Sequence, residues 1–200
     1  MEDKFTNIYE KNIWGIGSGA GSSFNYNKKY IVFLQEFFLK NNIKSILDVG
    51  CGDWQFSQFI NFDGIKYIGI DVVSSVIDEN TKFANENINF ICGDISDFNQ
   101  LKPYTNVDLI LIKDVLQHWH DQEVDVFLNN ISNTNAKNIL ITSAYKHFRD
   151  KNKSVYPRNI DNKYSFAPLD LMHSKYNHFN FKKVFKYKFK EVILYQNKAQ

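Results

Sequence analysis

The segment 46–52, with the sequence Ile-Leu-Asp-Val-Gly-Cys-Gly, is the feature that most constrains how this chain can fold. Apolar residues on both sides of Asp48 are typical of a strand that is buried on both faces, and such strands belong to parallel sheets. Two glycines follow directly, so the chain can turn tightly there and its backbone can approach a ligand closely. A plain strand-to-helix turn has the same pattern, and this segment alone does not separate the two interpretations.

Apolar runs alternate with helical patterns along the remainder of the chain. This alternation predicts βαβ units and therefore an α/β fold, a doubly wound, mostly parallel sheet of seven strands with a C-terminal antiparallel hairpin. We expect a single unit of structure, in which residues 1–43 contribute a glycine-rich loop and a helix and residues 44–200 form the main domain.

The individual elements follow from the period of the apolar positions. The predicted strands are residues 45–49, 66–70, 88–92, 107–112 and 138–142, followed by a hairpin of 182–188 and 191–195. The predicted helices are residues 30–39, 54–61, 74–84, 121–131 and 169–176.

Each of the first three predicted strands carries an aspartate at or near its carboxyl end: Asp48, Asp71 and Asp94. Asp71 lies 71 − 48 = 23 residues after Asp48, where doubly wound folds place an acid that binds ribose hydroxyls. Asp71 is equally suited to cap the next helix. A carboxylate at Asp48 suits a cationic amino group, and one at Asp94 suits an adenine amino group. The three acids together predict one ligand that carries all three groups.

Three segments, residues 48–52, 67–71 and 92–95, resemble the first three motifs of class I S-adenosylmethionine-dependent methyltransferases. The resemblance covers residues 44–142 by motif and the remaining residues by strand order. It implies a Rossmann-like fold, S-adenosylmethionine as cofactor and S-adenosylhomocysteine as product. Asp48 and the glycines would then surround the methionine part, Asp71 would bind the ribose and Val72 would pack on the adenine. The expected cofactor-binding residues are Trp14, Asp48, Gly50, Cys51, Gly52, Asp53, Trp54, Asp71, Val72, Asp94, Ile95 and Lys113.

An NAD-dependent dehydrogenase is the natural rival, because its nucleotide would use the same strand ends. The third glycine of a dinucleotide-binding turn is missing, and Asp53 stands where a pyrophosphate favours neutral or positive surroundings. A sulfonium cofactor has no phosphate to repel. These two features favour the methyltransferase.

The glycine-rich segment 15–23 resembles a segment that precedes the first motif in a subset of these enzymes, many of them encoded beside surface-glycan genes. As a loop carrying Trp14, it could close over the cofactor and exclude water. A linker without function has the same composition, and both interpretations stay open.

The segment 112–120 leaves the fourth strand and resembles the fourth motif of the family. Methyl transfer to a hydroxyl or ammonium also requires removal of a proton, which calls for a base with a pKa near the working pH. His118 is the first candidate for that base or for orienting the acceptor, Asp114 the second and His120 the third. A histidine that only packs the short helix is the alternative. Tyr145 and His147, after the fifth strand, are candidates for the acceptor pocket.

Several known methyltransferase signatures are missing, which narrows the chemistry. The chain has no Asn-Pro-Pro-Tyr segment at the fourth strand and no Pro-Cys nucleophile, which disfavours adenine, glutamine and cytosine C5 methylation. Ser143-Ala144-Tyr145 stands where metal-dependent catechol-type enzymes carry an Asp-Asn pair, so we expect no metal. Cys51 and Cys92 form no ligand set.

The charge is nearly balanced, with 24 basic and 22 acidic residues and a formal net charge of +2. Such a balance carries no strong signal for nucleic acid or a membrane surface, and it leaves the oligomeric state open. No apolar run is long enough to span a bilayer or to act as a secretion signal, so we expect a cytoplasmic protein. The expected activity is O-methylation of a small polar acceptor such as a sugar or glycan precursor. The alternatives are an RNA or protein methyltransferase, a dehydrogenase, and a noncatalytic cofactor-binding module.

Overall fold

A computed structural model describes residues 2–145, 158, 160 and 166–197 of the chain. The helices in these residues are α1 (Glu2–Glu10), α2 (Phe24–Lys40), α3 (Ser74–Asn80), α4 (Phe98–Leu101) and α5 (Asp121–Ser132). The strands are β1 (Ser45–Val49), β2 (Lys66–Asp71), β3 (Ile88–Cys92), β4 (Leu109–Lys113), β5 (Asn138–Ala144), β6 (Lys182–Tyr187) and β7 (Lys190–Gln196). Short 3₁₀ segments are Ala20–Ser22, Ser57–Phe59, Thr81–Phe83, Lys102–Tyr104, Leu116–His118 and Ser174–Phe179.

The seven strands form one sheet in the order β3-β2-β1-β4-β5-β7-β6. Strands β1 to β5 run parallel, and β7 is antiparallel to both β5 and β6. The predicted α/β, Rossmann-like sheet with its C-terminal antiparallel hairpin is confirmed. The strand order reverses direction at β1, so the carboxyl ends of β1, β2 and β4 meet at the point where such sheets bind ligands.

Apolar side chains cover both faces of the central strands, as the continuous apolar runs predict. Leu47 and Val49 of β1 face the cluster that contains α5, whereas Ile46 faces the cluster that contains Tyr30 and Leu34 of α2. This alternation follows from the two-residue period of a strand. Burial of side chains of this size contributes roughly 1.5 to 3 kcal/mol each, so the core holds the ligand-binding edge rigidly.

The predicted helix at 54–61 is wrong. After the glycine turn, the chain forms turns and the single 3₁₀ segment Ser57–Phe59. Trp54 has a φ of +55°, which a right-handed helix does not accept. Its indole lies in an aromatic cluster with Phe62, Tyr67 and Phe90, so packing of the ring decides the backbone conformation there.

Three other predicted helices differ from the structure by more than one residue or in type. The helix expected at 30–39 begins earlier, since α2 spans Phe24–Lys40. The helix expected at 74–84 is α helix only to Asn80 and continues as a 3₁₀ segment. The helix expected at 169–176 is a 3₁₀ segment at Ser174–Phe179. Two helices of the described residues, α1 and α4, are absent from the sequence-based expectation. No helix in the described part of the chain is both long and apolar enough to cross a membrane.

Candidate functional site

A cavity of about 500 Å³ opens at the carboxyl ends of β1, β2 and β4. Its volume is in the range of small-molecule sites, about 300 to 1,000 Å³. The predicted cofactor residues that line it are Trp14, Asp48, Gly50, Cys51, Gly52, Asp71, Val72, Ile95 and Lys113. The predicted catalytic residues Asp114 and His118 line the same cavity. The fold therefore brings nine of the cofactor candidates and two of the three catalytic candidates to one place.

The glycine turn after β1 needs its glycines for both conformation and space. Gly50 has a φ of +74°, and a Cβ there would lie 2.4 Å from Val115 Cγ2. Gly52 has a φ of +56°, and a Cβ there would lie 2.5 Å from the Ser18 hydroxyl. Any larger residue would be strained and would fill the space at the cavity wall. The turn thus exposes backbone to the cavity, as a ligand-binding turn requires.

Asp48 is a buried carboxylate at the cavity wall, 6% exposed. Its Oδ2 accepts a 2.7 Å hydrogen bond from the Tyr67 hydroxyl, and that hydroxyl accepts a 2.9 Å bond from the indole of Trp54. Burial raises the pKa of Asp48 to about 6, opposed by the Tyr67 hydrogen bond and the positive charge of Lys113. A cationic group of a ligand would stabilise the ionised form, so the site suits the amino group predicted from the sequence.

Asp71, at the end of β2, accepts hydrogen bonds from two backbone amides and also lines the cavity. Its Oδ2 accepts a 2.9 Å bond from the backbone amide of Gly52, and its Oδ1 accepts a 3.1 Å bond from Val73. Burial raises the pKa of Asp71, and these backbone bonds lower it. Each carboxylate oxygen has a second lone pair, so the carboxylate can accept further bonds at the cavity. Binding of ribose by Asp71 stays a prediction.

Three predicted cofactor residues do not line the cavity: Asp53, Trp54 and Asp94. Trp54 is 4% exposed and points into the core, where it acts on Asp48 only through Tyr67. The Asp94 carboxylate accepts bonds from the amide and hydroxyl of Ser96, at 2.9 and 2.6 Å. Direct contact of these three residues with a cofactor stays a prediction. The geometry supports it less well than it supports contact by the nine residues that line the cavity.

Asp53 connects the turn to the N-terminal glycine-rich segment. Its carboxylate accepts a 2.9 Å bond from the amide of Ser18, and its own amide donates a 3.1 Å bond to the Ser18 hydroxyl. The Tyr9 hydroxyl is 2.5 Å from the same hydroxyl. Two hydrogen bonds therefore fasten the segment 15–23, expected as a loop, to the ligand-binding turn, and a third joins Ser18 to Tyr9 of α1.

The N-terminal helix α1 supplies site residues that the sequence reasoning missed. Phe5, Tyr9 and, just beyond the helix, Ile13 line the cavity. The ring of Trp14 lies tilted against that of His118, with centroids 5.0 Å apart, and Phe5 lies edge-on to His118 at 6.1 Å. The helical spacing of Phe5 and Tyr9, four residues apart, was the signal available in the sequence. Their burial against the site could not be read from it.

The end of β4 holds a cluster of buried charges. Lys113 Nζ lies 2.6 Å from Asp114 Oδ2, and Lys190 of β7 makes a short contact with the same oxygen. Although burial raises it, the two ammonium groups hold the pKa of Asp114 at about 2. Lys190 lines the cavity and carries no motif that would have identified it from the sequence.

His118 lies in the 3₁₀ segment after β4, 9% exposed. Phe166 adds a third aromatic ring near it, 5.9 Å away. His120 instead caps the start of α5, where its backbone amide donates a 2.8 Å bond to Glu123, and it does not line the cavity. Tyr145 is described but does not line the cavity, and His147 lies outside the described residues. Among the described residues, no group of three or more His, Cys, Asp or Glu side chains could hold a metal ion.

Residues 46–138 match a family model described as "Methyltransferase domain". Phosphoethanolamine N-methyltransferase 3 of Arabidopsis thaliana is 30% identical to this chain over 83 residues, which are 40% of the chain. The match spans 17% of the length of that curated relative.

Solved structures share the fold at low sequence identity. N-methyltransferase NodS from Bradyrhizobium japonicum WM9, in complex with S-adenosyl-L-homocysteine, has a TM-score of 0.69 at 12% identity, covering 98% of this chain and 99% of that chain. The DhpI complex with S-adenosylhomocysteine has a TM-score of 0.66 at 10% identity, covering 100% and 96%. Magnesium protoporphyrin IX methyltransferase from Synechocystis PCC 6803 has a TM-score of 0.63 at 13% identity, covering 98% and 97%. At such identities the likeness shows the fold alone.

Proposed function

We propose that the protein is a class I S-adenosylmethionine-dependent methyltransferase that methylates an oxygen of a small polar acceptor, since residues 46–138 match a methyltransferase-domain model and the fold resembles that of such enzymes. A sugar or a glycan precursor is the acceptor class we favour. The observation that carries the proposal is the single cavity that runs from the cofactor residues Asp48 and Asp71 to the polar groups Asp114, Gln117 and His118.

The residues of the cavity fit S-adenosylmethionine part by part. Asp48 offers a buried carboxylate for the amino group, and the glycine turn leaves space that a Cβ would fill. Asp71 offers its remaining lone pairs to the ribose, with Val72 and Ile95 as apolar surface for the adenine. When bound, the sulfonium supplies an electrophilic methyl group. The protein's part is to align the acceptor with that methyl group and to exclude water.

The walls of the cavity support both tasks. Phe5, Tyr9, Trp14, Phe56 and Phe166 line it with aromatic surface, which leaves little room for water near the reacting atoms. His118, held between Trp14 and Phe5, would orient the acceptor. Since a volume of about 500 Å³ must hold the cofactor and the reacting part of the acceptor together, the acceptor group that enters is small.

N-methylation is the second candidate, because two of the similar proteins, phosphoethanolamine N-methyltransferase 3 and NodS, are named as N-methyltransferases. An amine acceptor would use the same polar end of the cavity. An RNA or protein acceptor would have to present a single protruding group to this enclosed site, and the net charge of +2 gives no broad attraction for RNA. Binding of RNA would be recognised by a steep fall of affinity with salt.

The dehydrogenase alternative loses support from the local backbone. A dinucleotide pyrophosphate binds at the N-terminus of the helix that follows the glycine turn. Here the turn leads into further turns and only a 3₁₀ segment, Ser57–Phe59, and Asp53 adds a negative charge.

We also propose that the reaction takes place in the cytoplasm, since both cysteines are free thiols.

The test is binding followed by turnover. Calorimetry of the purified protein should show binding of S-adenosylmethionine and S-adenosylhomocysteine and none of NAD. The protein is then incubated with methyl-labelled cofactor and a panel of monosaccharides, nucleotide sugars and phosphoethanolamine. Labelled methyl ethers of a sugar support the favoured proposal, and a labelled amine supports the second candidate. Binding of NAD in place of S-adenosylhomocysteine would refute both.

A noncatalytic module would bind the cofactor without using the polar end of the cavity. His118→Ala should lower turnover while it leaves cofactor affinity within about twofold, because His118 faces the acceptor end. His178→Ala, an exposed histidine outside the cavity, is the matched control.

A further inference from the structure

The polar end of the cavity contains three buried charged side chains with unequal signs. Lys113 and Lys190 approach the same carboxylate, that of Asp114, and each lysine side chain is only 7% exposed. Two cations therefore share one anion in a site of low dielectric. Such an arrangement is costly for the second proton, because each ammonium must be desolvated and the two ammonium groups repel each other.

The two lysines differ in their further contacts. Lys113 Nζ also donates a 3.2 Å bond to the carbonyl of Gly21 and lies 4.8 Å from the ring centroid of Phe56. Among the described residues, Lys190 Nζ hydrogen bonds to Asp114 alone, with the ring of Tyr26 centred 5.0 Å away. The groups that face Lys190 are thus Lys113 from β4, Asp114 directly after β4, and Tyr26 from α2.

The balance of these groups favours loss of a proton from Lys190. Burial lowers the pKa of Lys190 to about 7, with the attraction of Asp114 opposing this and the repulsion by Lys113 adding to it. Asp114, with its pKa near 2, stays ionised. In this cluster Lys190, whose amine has one carboxylate beside it and a second ammonium group nearby, is therefore the side chain placed to exchange a proton near neutral pH.

Asp114 shows a further sign of a site built for chemistry. Its Oδ1 is buried and has no hydrogen-bond partner among the described residues, and its backbone has a φ of +61°. An unpaired buried acceptor and a non-glycine residue in the left-handed region both cost free energy, and such features concentrate at functional sites. This cost in free energy is consistent with an Asp114 carboxylate that is positioned to contact Lys190 and the methyl acceptor.

We propose that Lys190 is the proton acceptor of the reaction, held in place by Asp114, while His118 orients the methyl acceptor. This inference rests on the proposed function. In the step, a neutral Lys190 amine takes the proton of the acceptor hydroxyl and becomes an ammonium. The oxygen electron pair forms the new bond to the methyl carbon, and the carbon–sulfur bond breaks with its pair going to sulfur. Charge balances, since the positive charge of the sulfonium ends on Lys190.

Lys190 suits this role by its surroundings, whereas the ring of His118 is packed among the aromatic rings of Trp14, Phe5 and Phe166. Lys190 has the carboxylate of Asp114 beside it, and this stabilises the ammonium that the reaction creates. In this arrangement the carboxylate of Asp114 orients the amine of Lys190, as a third group orients the base at other catalytic sites.

The first test measures the titration of Lys190 without any acceptor. The intact protein is trace-labelled with acetic anhydride from about pH 5.5 to about pH 10, and labelling at each lysine is read by mass spectrometry. Half-maximal labelling of Lys190 near pH 7 is expected. In Lys113→Met it should move upward, because the repelling charge is gone and Asp114 pairs with Lys190 alone. Half-maximal labelling above about pH 9.5 in the wild type would overturn the proposal.

The second test measures turnover with the acceptor panel described above. Lys190→Met should lower kcat by about 100-fold or more and remove the limb of the pH profile near 7, with KM for S-adenosylmethionine nearly unchanged. Lys182→Met, an exposed lysine on β6 outside the cavity, is the control. Unchanged kcat in Lys190→Met with an intact circular dichroism spectrum would overturn the proposal.

The two hypotheses fail in different ways. Absence of S-adenosylhomocysteine binding by the wild type refutes the proposed function itself. Normal binding together with an ordinary titration of Lys190 refutes only the role of Lys190. Where no panel member is methylated, the titration decides alone.

Discussion

The carboxylate of Asp71, at the end of β2, accepts a 2.9 Å hydrogen bond from the backbone amide of Gly52 in the turn after β1. The bond joins the ends of two neighbouring strands across the candidate site. A residue expected to hold the ribose thus also shapes the turn that would hold the methionine part of the cofactor. Substitutions of Asp71 should therefore change both ligand affinity and stability.

Asp71→Ala should weaken binding of S-adenosylmethionine by about 1 to 3 kcal/mol, the cost of losing charge-assisted hydrogen bonds. The ligand-free protein should also lose about 1 to 3 kcal/mol of unfolding free energy, because the amides of Gly52 and Val73 lose their acceptor. Calorimetry and urea denaturation measure the two effects. Asp63→Ala, at an exposed aspartate outside the cavity, should change neither, and an unchanged affinity in Asp71→Ala would remove Asp71 from the site.

Gly50→Ala should be far more damaging than Gly64→Ala. Both glycines have positive φ, +74° and +69°, so both variants lose about 1 to 2 kcal/mol from backbone strain. Only Gly50→Ala adds a clash, with Val115 Cγ2 at 2.4 Å from the new Cβ, whereas nothing lies within 4 Å at Gly64. Denaturation of both variants measures the difference. Equal losses of unfolding free energy in the two variants would show that the Val115 side chain moves aside at little cost.

Titration of Asp48 should change the free energy of unfolding and the cofactor affinity in opposite directions as the pH rises. Its pKa is raised from 3.8 to about 6, so the folded state holds this proton more tightly than the unfolded state. The stabilisation is complete below about pH 3.8 and is lost as the pH rises through about 6. Cofactor affinity should instead fall as the pH drops through about 6, because a protonated carboxyl no longer pairs with the amino group.

Asp48→Asn therefore separates the two effects. At neutral pH the ligand-free variant should be more stable, by at most about 3 kcal/mol, because a buried charge is removed. Its cofactor affinity should fall and lose its dependence on pH near 6. Denaturation and calorimetry at about pH 5 and about pH 8 give both quantities. A variant that is destabilised at neutral pH would show that the ionised Asp48 is better compensated than its burial indicates.

Ser18→Ala should loosen the attachment of the glycine-rich segment to the turn, although the backbone amide at position 18 still bonds to Asp53. The hydroxyl of Ser18 contacts the amide of Asp53 at 3.1 Å and the hydroxyl of Tyr9 at 2.5 Å. Losing both contacts should cost about 1 to 2 kcal/mol and should speed amide hydrogen exchange in residues 13–23. Ser23→Ala, whose exposed hydroxyl bonds only to the Ala20 carbonyl, is the control. Equal exchange in both variants would mean that Ser18 does not hold the segment.

Much of the scaffold was predictable because it depends on local patterns. The boundaries of β1 and β3 agree with the prediction residue by residue, since apolar runs end sharply at the glycine turn and at Gly93. The wrong helix at 54–61 has the opposite cause. Its apolar residues have helical spacing, but the indole of Trp54 finds a better place in the core, and the backbone follows it.

The sequence by itself determined the succession of strands along the chain, the glycine turn and the placement of acids at strand ends, because each depends on residues close together in the chain. Only the tertiary structure decided what covers and completes the site. Lys190 meets Asp114 across 76 positions, and Trp14 meets His118 from a segment fastened to the glycine turn. Such contacts arise when the sheet brings β7 close to β4 and the N-terminal helix folds back over it. No local period or turn signal records which distant residues will be neighbours.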